Sequence, residues 1–321
     1  MVKIIGKKLL QIIPVLFIVS VISFLIVYLA PGDPVNMYIR PEMTPQQINR
    51  IRESLGLDAG MGEQYLHWLS NILHGNMGNS LVNHQPVAGQ IFEKLPATLK
   101  LMGVSILLAL IFAIPLGLVS GYRENSRFDK GVKLFTYIGI SIPSFWFAMM
   151  LIVVFTLKLK LLPNSGMSTL GVDSVWDQIK HLILPAVVLS IYNMAVFTRY
   201  IRANVIREIK EEYIDTAKAK GVKIRAILTR HVLKNCLLPI ITLVGMNVAN
   251  LVTGSIVVES IFGWPGMGTL GMTAITSRDY PMVMGVTMLS CLVLLIGNFT
   301  ADALYSIADP RIKREVDKYH G

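Results

Sequence analysis

Six stretches of this chain contain no Asp, Glu, Lys or Arg: residues 9–32, 101–122, 134–157, 181–198, 235–258 and 280–301. They run 24, 22, 24, 18, 24 and 22 residues. A helix rising about 1.5 Å per residue needs roughly 20 apolar residues to cross about 30 Å of hydrocarbon. Every run reaches or approaches that length. None alternates apolar with polar positions as a barrel strand would. Backbone groups inside lipid must bond within their own segment, so the runs predict six membrane-spanning helices. The fourth has the weakest pattern, being the shortest and holding Pro185 and Asn193. The first follows Lys3, Lys7 and Lys8 like a signal peptide. It far exceeds a signal h-region of about 7–15 residues, and Tyr28-Leu29-Ala30 is no small-x-small cleavage site, so an uncleaved helix is predicted.

The polar segments between the runs differ in charge. Segments 1–8, 123–133, 199–234 and 302–321 carry 21 Lys/Arg in 75 residues. Segments 33–100, 158–180 and 259–279 carry 9 in 112. Basic residues stay on the cytoplasmic side, so both termini and the loop 199–234 are predicted inside.

Composition agrees with a membrane protein. Of 321 residues 53% are hydrophobic and 16% charged, with mean hydropathy +0.56; soluble domains carry about 25% charged residues. Disorder is excluded by the same figures. The net charge of +10 suggests nucleic acid at first, but the basic residues sit between the apolar runs, so no nucleic-acid partner is expected. Cys236 and Cys291 both lie inside apolar runs and read as small hydrophobes.

The division expected is a tail and first helix over 1–32, an extracytoplasmic, partly helical loop over 33–100, a five-helix core over 101–301, and a tail over 302–321. Within the loop, Thr44-Pro45-Gln46-Gln47 reads as a capping box that starts a helix, followed by Ile48, Ile51 and Leu55 at helical spacing. Tyr65-Leu66-His67-Trp68-Leu69 predicts another.

The interiors of the runs hold no full charge, whereas ion-coupled transporters place titratable groups at membrane depth. His181, at the edge of a run, reads as an interfacial residue. Energy therefore comes from another polypeptide, or the protein is passive. No G-x-x-x-x-G-K-[ST] occurs. Gly266-Met267-Gly268-Thr269-Leu270-Gly271 spells G-x-G-x-x-G but follows an apolar run rather than a strand, and no acid follows at dinucleotide spacing, so it reads as a glycine-rich turn. His67, His74 and His84 lack partners at ligand spacing and read as surface residues. No catalytic, cofactor or metal residues are expected, and no enzyme activity. Asn298-Phe299-Thr300 matches a glycosylation acceptor but lies in a membrane run.

The uncharged polar residues that remain include Ser141 and Ser144 flanking Pro143, then Asn193, Asn247, Asn250, Thr253, Ser255 and Asn298. Asn247, Asn250 and Gly254 share one helical face, beside a small-residue seam of Gly245, Ala249 and Thr253. Such an Asn stripe either lines a polar path or bonds helices together. Ser141, Asn193, Asn247 and Asn250 are the path candidates.

The loop 199–234 carries ten Lys/Arg and four acids. Ile201, Val205, Ile209 and Tyr213 recur at spacing four and predict one helix, stopped by Gly221 with Lys218 and Lys220 in the last turn. A second helix is predicted from near Lys223, with apolar Ile224, Ile227, Leu228 and Val232. Two short amphipathic helices meeting at a glycine make a knob, fit either for a groove in a soluble partner or for anionic lipid.

The stretch Glu212–Gly221, followed by Ile227–Asn235, resembles the EAA loop of ABC-importer permeases. Asp215-Thr216-Ala217 and Gly221 match its first part. His231-Val232-Leu233-Lys234 stands at I-x-L-P without the initial Ile and final Pro. Ala30-Pro31-Gly32-Asp33-Pro34, Leu95-Pro96-Ala97-Thr98-Leu99 before the second helix, and Ser141-Ile142-Pro143-Ser144-Phe145-Trp146 are similar to the B-type permease of dipeptide, oligopeptide and nickel importers. So are Gly263-Trp264-Pro265-Gly266-Met267-Gly268, Arg278-Asp279-Tyr280-Pro281 and Asp309-Pro310-Arg311.

The resemblance implies an all-α membrane protein of the type I ABC importer permease fold, in a bacterial inner membrane. It implies a second homologous permease, two cytoplasmic ATPases and an extracytoplasmic solute-binding protein as partners, and no cofactor. ATPase coupling would fall on Glu212, Asp215, Thr216, Ala217, Gly221, Ile224, Ile227 and Arg230. Asp215 would pair with or cap the ATPase surface, Ala217 would allow close approach and Gly221 would make the turn. The cargo would be a di- or oligopeptide, with nickel or a metal chelate as the alternative; a passive channel or a membrane scaffold stands further off.

Overall fold

The computed structural model describes residues 2–30, 35, 39, 42–54, 56–236, 240, 244–245 and 255–308. Among these residues the structure is helical, with one isolated β-bridge between Asn79 and Pro86. The chain forms two compact units, Met1–Thr98 with Pro265–Leu295 and Leu99–Trp264 with Ile296–Gly321.

The first unit begins with α1 (Val2–Tyr28), which contains Pro14. Thr44 and Gln47 close the capping box as predicted. The Thr44 backbone N–H donates to Gln47 Oε1 at 2.8 Å, and the Gln47 N–H donates back to Thr44 Oγ1 at 3.4 Å. Both bonds satisfy groups that a helix start leaves open, and α2 (Pro45–Ser54) follows. Leu55 lies outside the described residues. α3 (Met61–Leu73) turns Tyr65 and Trp68 onto α1. Their rings stand 5.4 and 6.1 Å from Phe24, and the Tyr65 hydroxyl meets Ser20 Oγ at 2.9 Å. Aromatic pairs in such tilted arrangements add to what area burial alone supplies.

α4 (Val87–Tyr122) starts fourteen residues before the apolar run at 101, so Leu95–Leu99 lies inside the helix and not ahead of it. Thr98 Oγ1 accepts the N–H of Met267 at 2.7 Å. That N–H opens α10 (Met267–Thr276), whose N-cap, Gly266, has no side chain to offer. The predicted glycine-rich turn therefore ends at Gly266, and the rest of the motif is helix.

Arg278-Asp279-Tyr280-Pro281 opens α11 (Tyr280–Ala308). Asp279, 3% exposed, accepts the Met282 N–H at 3.4 Å and the Leu81 N–H at 3.0 Å. Its second oxygen accepts the Ser80 hydroxyl. One carboxylate thus caps a helix and clasps a loop almost two hundred residues away in sequence.

In the second unit, α5 (Arg127–Ser141) and α6 (Ser144–Leu151, continuing π-helically through Ile152–Lys158) share the third apolar run. They meet at 103°. The run 134–157 is therefore not the straight helix predicted from its length. Ile142 precedes Pro143 and is pushed out of the helical region, at φ −73° and ψ 123°. α7 (Val175–Glu208) runs unbroken through Pro185. The weakest-patterned run makes the most buried of the three long apolar helices among the described residues, with 67% of its apolar window inside. His181 is 7% exposed and held by Gly166 O at 3.1 Å and Thr169 Oγ1 at 3.3 Å, so it pins the preceding loop. Most of the run 235–258 lies outside the described residues; residues 255–261 are helical.

Asp279→Ala is expected to lower stability by about 2–4 kcal/mol, because it orphans buried donors and removes a cap. Thermal unfolding in detergent checks this, and Asp279→Asn, which keeps one acceptor, falls between the variant and the parent.

Candidate functional site: the α7–α9 knob

The helix predicted from Ile201 to Gly221 is two helices. α7 stops at Glu208, and α8 (Glu212–Ala219) starts after a turn through Lys210. Glu212 and Asp215 lie in the first turn of α8 and Lys218 in its last, the arrangement that suits a helix dipole. The break folds Tyr213 back on α7. Its hydroxyl donates to Glu208 Oε2 at 2.7 Å, and Asn235 Nδ2 donates to the same oxygen at 2.8 Å. Burial first, then the Glu208 carboxylate, pushes the Tyr213 phenol up to about 12, so it stays a neutral donor.

Gly221 ends α8 as predicted. Its φ is +74°, open to glycine at little cost. The Gly221 N–H donates to Lys218 O at 2.9 Å and the Val222 N–H to Ala217 O at 3.1 Å, a Schellman pair. α9 opens at Ile224 and continues as a π-helical turn, Ile227–Val232.

The apolar side of the knob faces its own chain. Ile214, Ile227 and Val232 are fully buried, in one cluster with Ile201 and Val205 of α7 and Ala109, Ala113 and Leu118 of α4. The expectation of an apolar face free for a partner is corrected: those side chains anchor the knob. Each such burial outside the membrane contributes about 1.5–3 kcal/mol. What faces outward is mostly polar, with Tyr213, Val222 and Ile224 the exposed apolar or aromatic side chains. Glu212, Asp215, Thr216, Gly221 and Arg230 are exposed, with Ile224 at 37%. Asp215 pairs with Lys218 at 2.9 Å, both side chains well exposed, and Ala217 is half-buried.

Beneath the anchors, α4 and α7 interlock. A Cβ on Gly117 would lie 2.6 Å from Ile201 Cβ, and one on Gly121 2.6 Å from Val205 Cβ. Only glycine lets these backbones approach so closely. Next to this contact, Asp129 is fully buried. It accepts Arg202 Nε and Nη2 at 2.6 and 2.8 Å, Ser120 Oγ at 2.5 Å, the Asn125 N–H at 2.9 Å and Lys133 Nζ at 3.1 Å. Sequence reading missed this ion pair, since its partners are 73 residues apart. The spacing of Gly117 and Gly121 was the available signal for the interlock.

Two of the path candidates lie among the described residues. Ser141 is exposed at the end of α5. Asn193 is 3% exposed on α7; its Nδ2 donates to Leu189 O at 3.2 Å and its Oδ1 has no partner among the described residues. Asn247 and Asn250 lie outside the described residues.

Residues 113–314 match the family described as the binding-protein-dependent transport system inner membrane component, and residues 1–102 match its N-terminal companion family. The chain belongs to this family. The oligopeptide transport system permease protein AppB of Bacillus subtilis (strain 168) is 41% identical over 309 residues, covering 96% of this chain and 98% of that protein. The glutathione transport system permease protein GsiC of Escherichia coli (strain K12) is 38% identical over 307 residues, covering 96% and 97%. A solved inward-facing MetNI methionine ABC transporter chain superposes with TM-score 0.56 at 15% identity, over 68% of this chain and 96% of that one. This permease therefore has the type I ABC importer fold and is a multi-pass membrane protein.

Gly121→Leu is expected to break the interlock and cost at least about 2 kcal/mol, seen as a fall in thermal stability in detergent. Gly103→Ala, with open space around it, is expected to be neutral or slightly stabilising.

Proposed function

We propose that this permease forms half of the membrane path of an ATP-driven peptide importer and is moved from outside through its knob. The observation that carries the reading is the two-sided build of residues 212–232. Ile214, Ile227 and Val232 are rooted in the α4–α7 core, while a polar surface stands clear of it. A projection rooted in that way passes an applied displacement to α4 and α7 as a unit, because packed cores transmit strain.

The force comes from nucleotide-driven closure of two ATPase subunits, each gripping one knob. Glu212, Asp215, Thr216 and Arg230 supply the polar contacts, and Asp215 exchanges its bond to Lys218 for one across the interface. Ala217 allows close approach, and Gly221 sets the angle between α8 and α9. Ile224 touches the partner; Ile227 holds the root. A second homologous permease completes the path, and an extracytoplasmic binding protein delivers the solute. The Lys/Arg distribution supports placing the knob and both termini in the cytoplasm. The curated relatives named for oligopeptide and glutathione transport support a peptide cargo. On the path, Asn193 Oδ1 offers a buried acceptor without a partner, the kind of group a passing polar solute satisfies. Ser141, Asn247 and Asn250 are proposed to line the same path.

Gly221→Asp is expected to leave membrane insertion intact and reduce transport at least tenfold while ATP hydrolysis by the complex continues. Uptake and hydrolysis measured together in vesicles check this, and normal uptake would overturn the docking role. Cysteines at exposed positions between 212 and 230 are expected to crosslink to the nucleotide-hydrolysing subunit. Labelling of those cysteines by an impermeant reagent added outside intact cells would overturn the orientation.

A further inference from the structure

A groove of about 550 Å³ runs between α5 and α7, beside the Asp129–Arg202 pair. Its volume falls within the range of about 300–1,000 Å³ typical of ligand sites. The two helices are antiparallel here, since Asp129 meets Arg202 while Gly139 lies against Ala195. Going from Lys133 to Ile140 along α5 therefore runs the same way as going from Arg199 to Tyr192 along α7. The groove is polarised along that direction.

One end holds Lys133, Arg199 and Arg202; the acids within reach are Asp129, fully buried and bonded to Arg202 and Lys133, and the exposed Glu124, whose charge also acts on Arg202. Three cations against two carboxylates leave a local excess of one positive charge. Arg202 is committed to Asp129 through both Nε and Nη2. Arg199 is not: it lies 5.6 Å over the Tyr137 ring, is exposed, and makes no hydrogen bond or ion pair among the described residues. The other end is apolar, with Ile140 and Val196 among its lining. Tyr137, Tyr192 and Tyr200 are 60%, 44% and 48% exposed along it.

Lys133 immediately precedes the apolar run at 134, and Arg199 immediately follows the run that ends at 198. Both cations thus stand at one hydrocarbon boundary, and tyrosines gather at such boundaries. We propose that this groove is a headgroup site for an anionic glycerophospholipid. The lipid phosphate sits on Arg199 and Lys133, and an acyl chain follows Ile140 and Val196 into the bilayer. Basic pockets between membrane helices are suited to this chemistry. A polar protein segment would match the cations but not the apolar end. Which leaflet supplies the lipid rests on the cytoplasmic placement of loop 199–234 proposed above.

The test is native mass spectrometry of the full-length chain with its co-purifying subunits in neutral detergent, titrated with phosphatidylglycerol or with phosphatidylcholine of the same chains. Phosphatidylglycerol is expected to be retained preferentially, and Arg199→Gln to weaken its retention about fivefold, the effect of one interfacial cation. Arg199→Lys is expected to keep most of it. Lys133→Gln, which leaves the Arg202–Asp129 pair in place, is expected to act like Arg199→Gln. Equal retention by parent and both Gln variants, or of both lipids, would overturn the site. So would complete displacement by inorganic phosphate, which would mark a plain anion site, or crosslinking of Tyr200→Cys to a second permease, which would mark a subunit interface. Arg199-dependent retention together with external labelling of residues 212–230 would keep the lipid site and reject only the orientation.

Discussion

The contact between α4 and α7 at Gly117 and Gly121 is the constraint on which the working part of this permease depends. Apolar side chains gain nothing by leaving lipid for one another, so helices in a bilayer are joined by close packing and polar bonds. Here two missing side chains admit Ile201 and Val205 to the backbone of α4. α7 is thereby fixed against α4 just before it leaves the membrane region. The anchors of the knob, Ile214, Ile227 and Val232, then pack into the cluster that this contact founds. Loosening the contact would leave the knob attached to a helix that no longer carries its neighbour.

Charge is arranged to respect the same medium. Two of the buried acids, Asp129 and Asp279, sit at helix starts, where donors converge. Asp129 near the start of α5 gathers Arg202, Lys133, Ser120 and the Asn125 N–H. Asp279 at the start of α11 gathers Ser80 and two backbone N–H groups. Neither leaves its carboxylate short of partners, which is the condition for burying a charge at all. Fixing these two charges at helix starts is consistent with the mechanical input proposed at the knob.

The knob shows how one segment carries two demands. Its apolar residues at i, i+3 and i+4 could equally have served a partner's groove or the chain's own core. Burial assigns them to the core, and the polar residues between them become the outward surface. The turn at Lys210 makes this possible, because it brings Tyr213 back to Glu208 and swings α8 off the axis of α7.

Several features were fixed by residue order, because they depend only on neighbours a few positions apart. The apolar runs, the capping box at Thr44 and Gln47, the glycine end of α8 and the restart after Lys223 are all of this local kind. Motif order was enough to place the chain in its family. Tertiary structure decided whatever depended on residues distant in sequence. It set the 103° bend within the third run, the reach of Thr98 to Met267, the clasp of Asp279 on Ser80 and the inward turn of Ile214 and Ile227. It also made α7 more buried than the other two long apolar helices among the described residues, despite its short apolar run. Hydropathy counts what a segment carries, whereas burial depends on which other segments arrive beside it, and periodicity along a single chain holds no record of that.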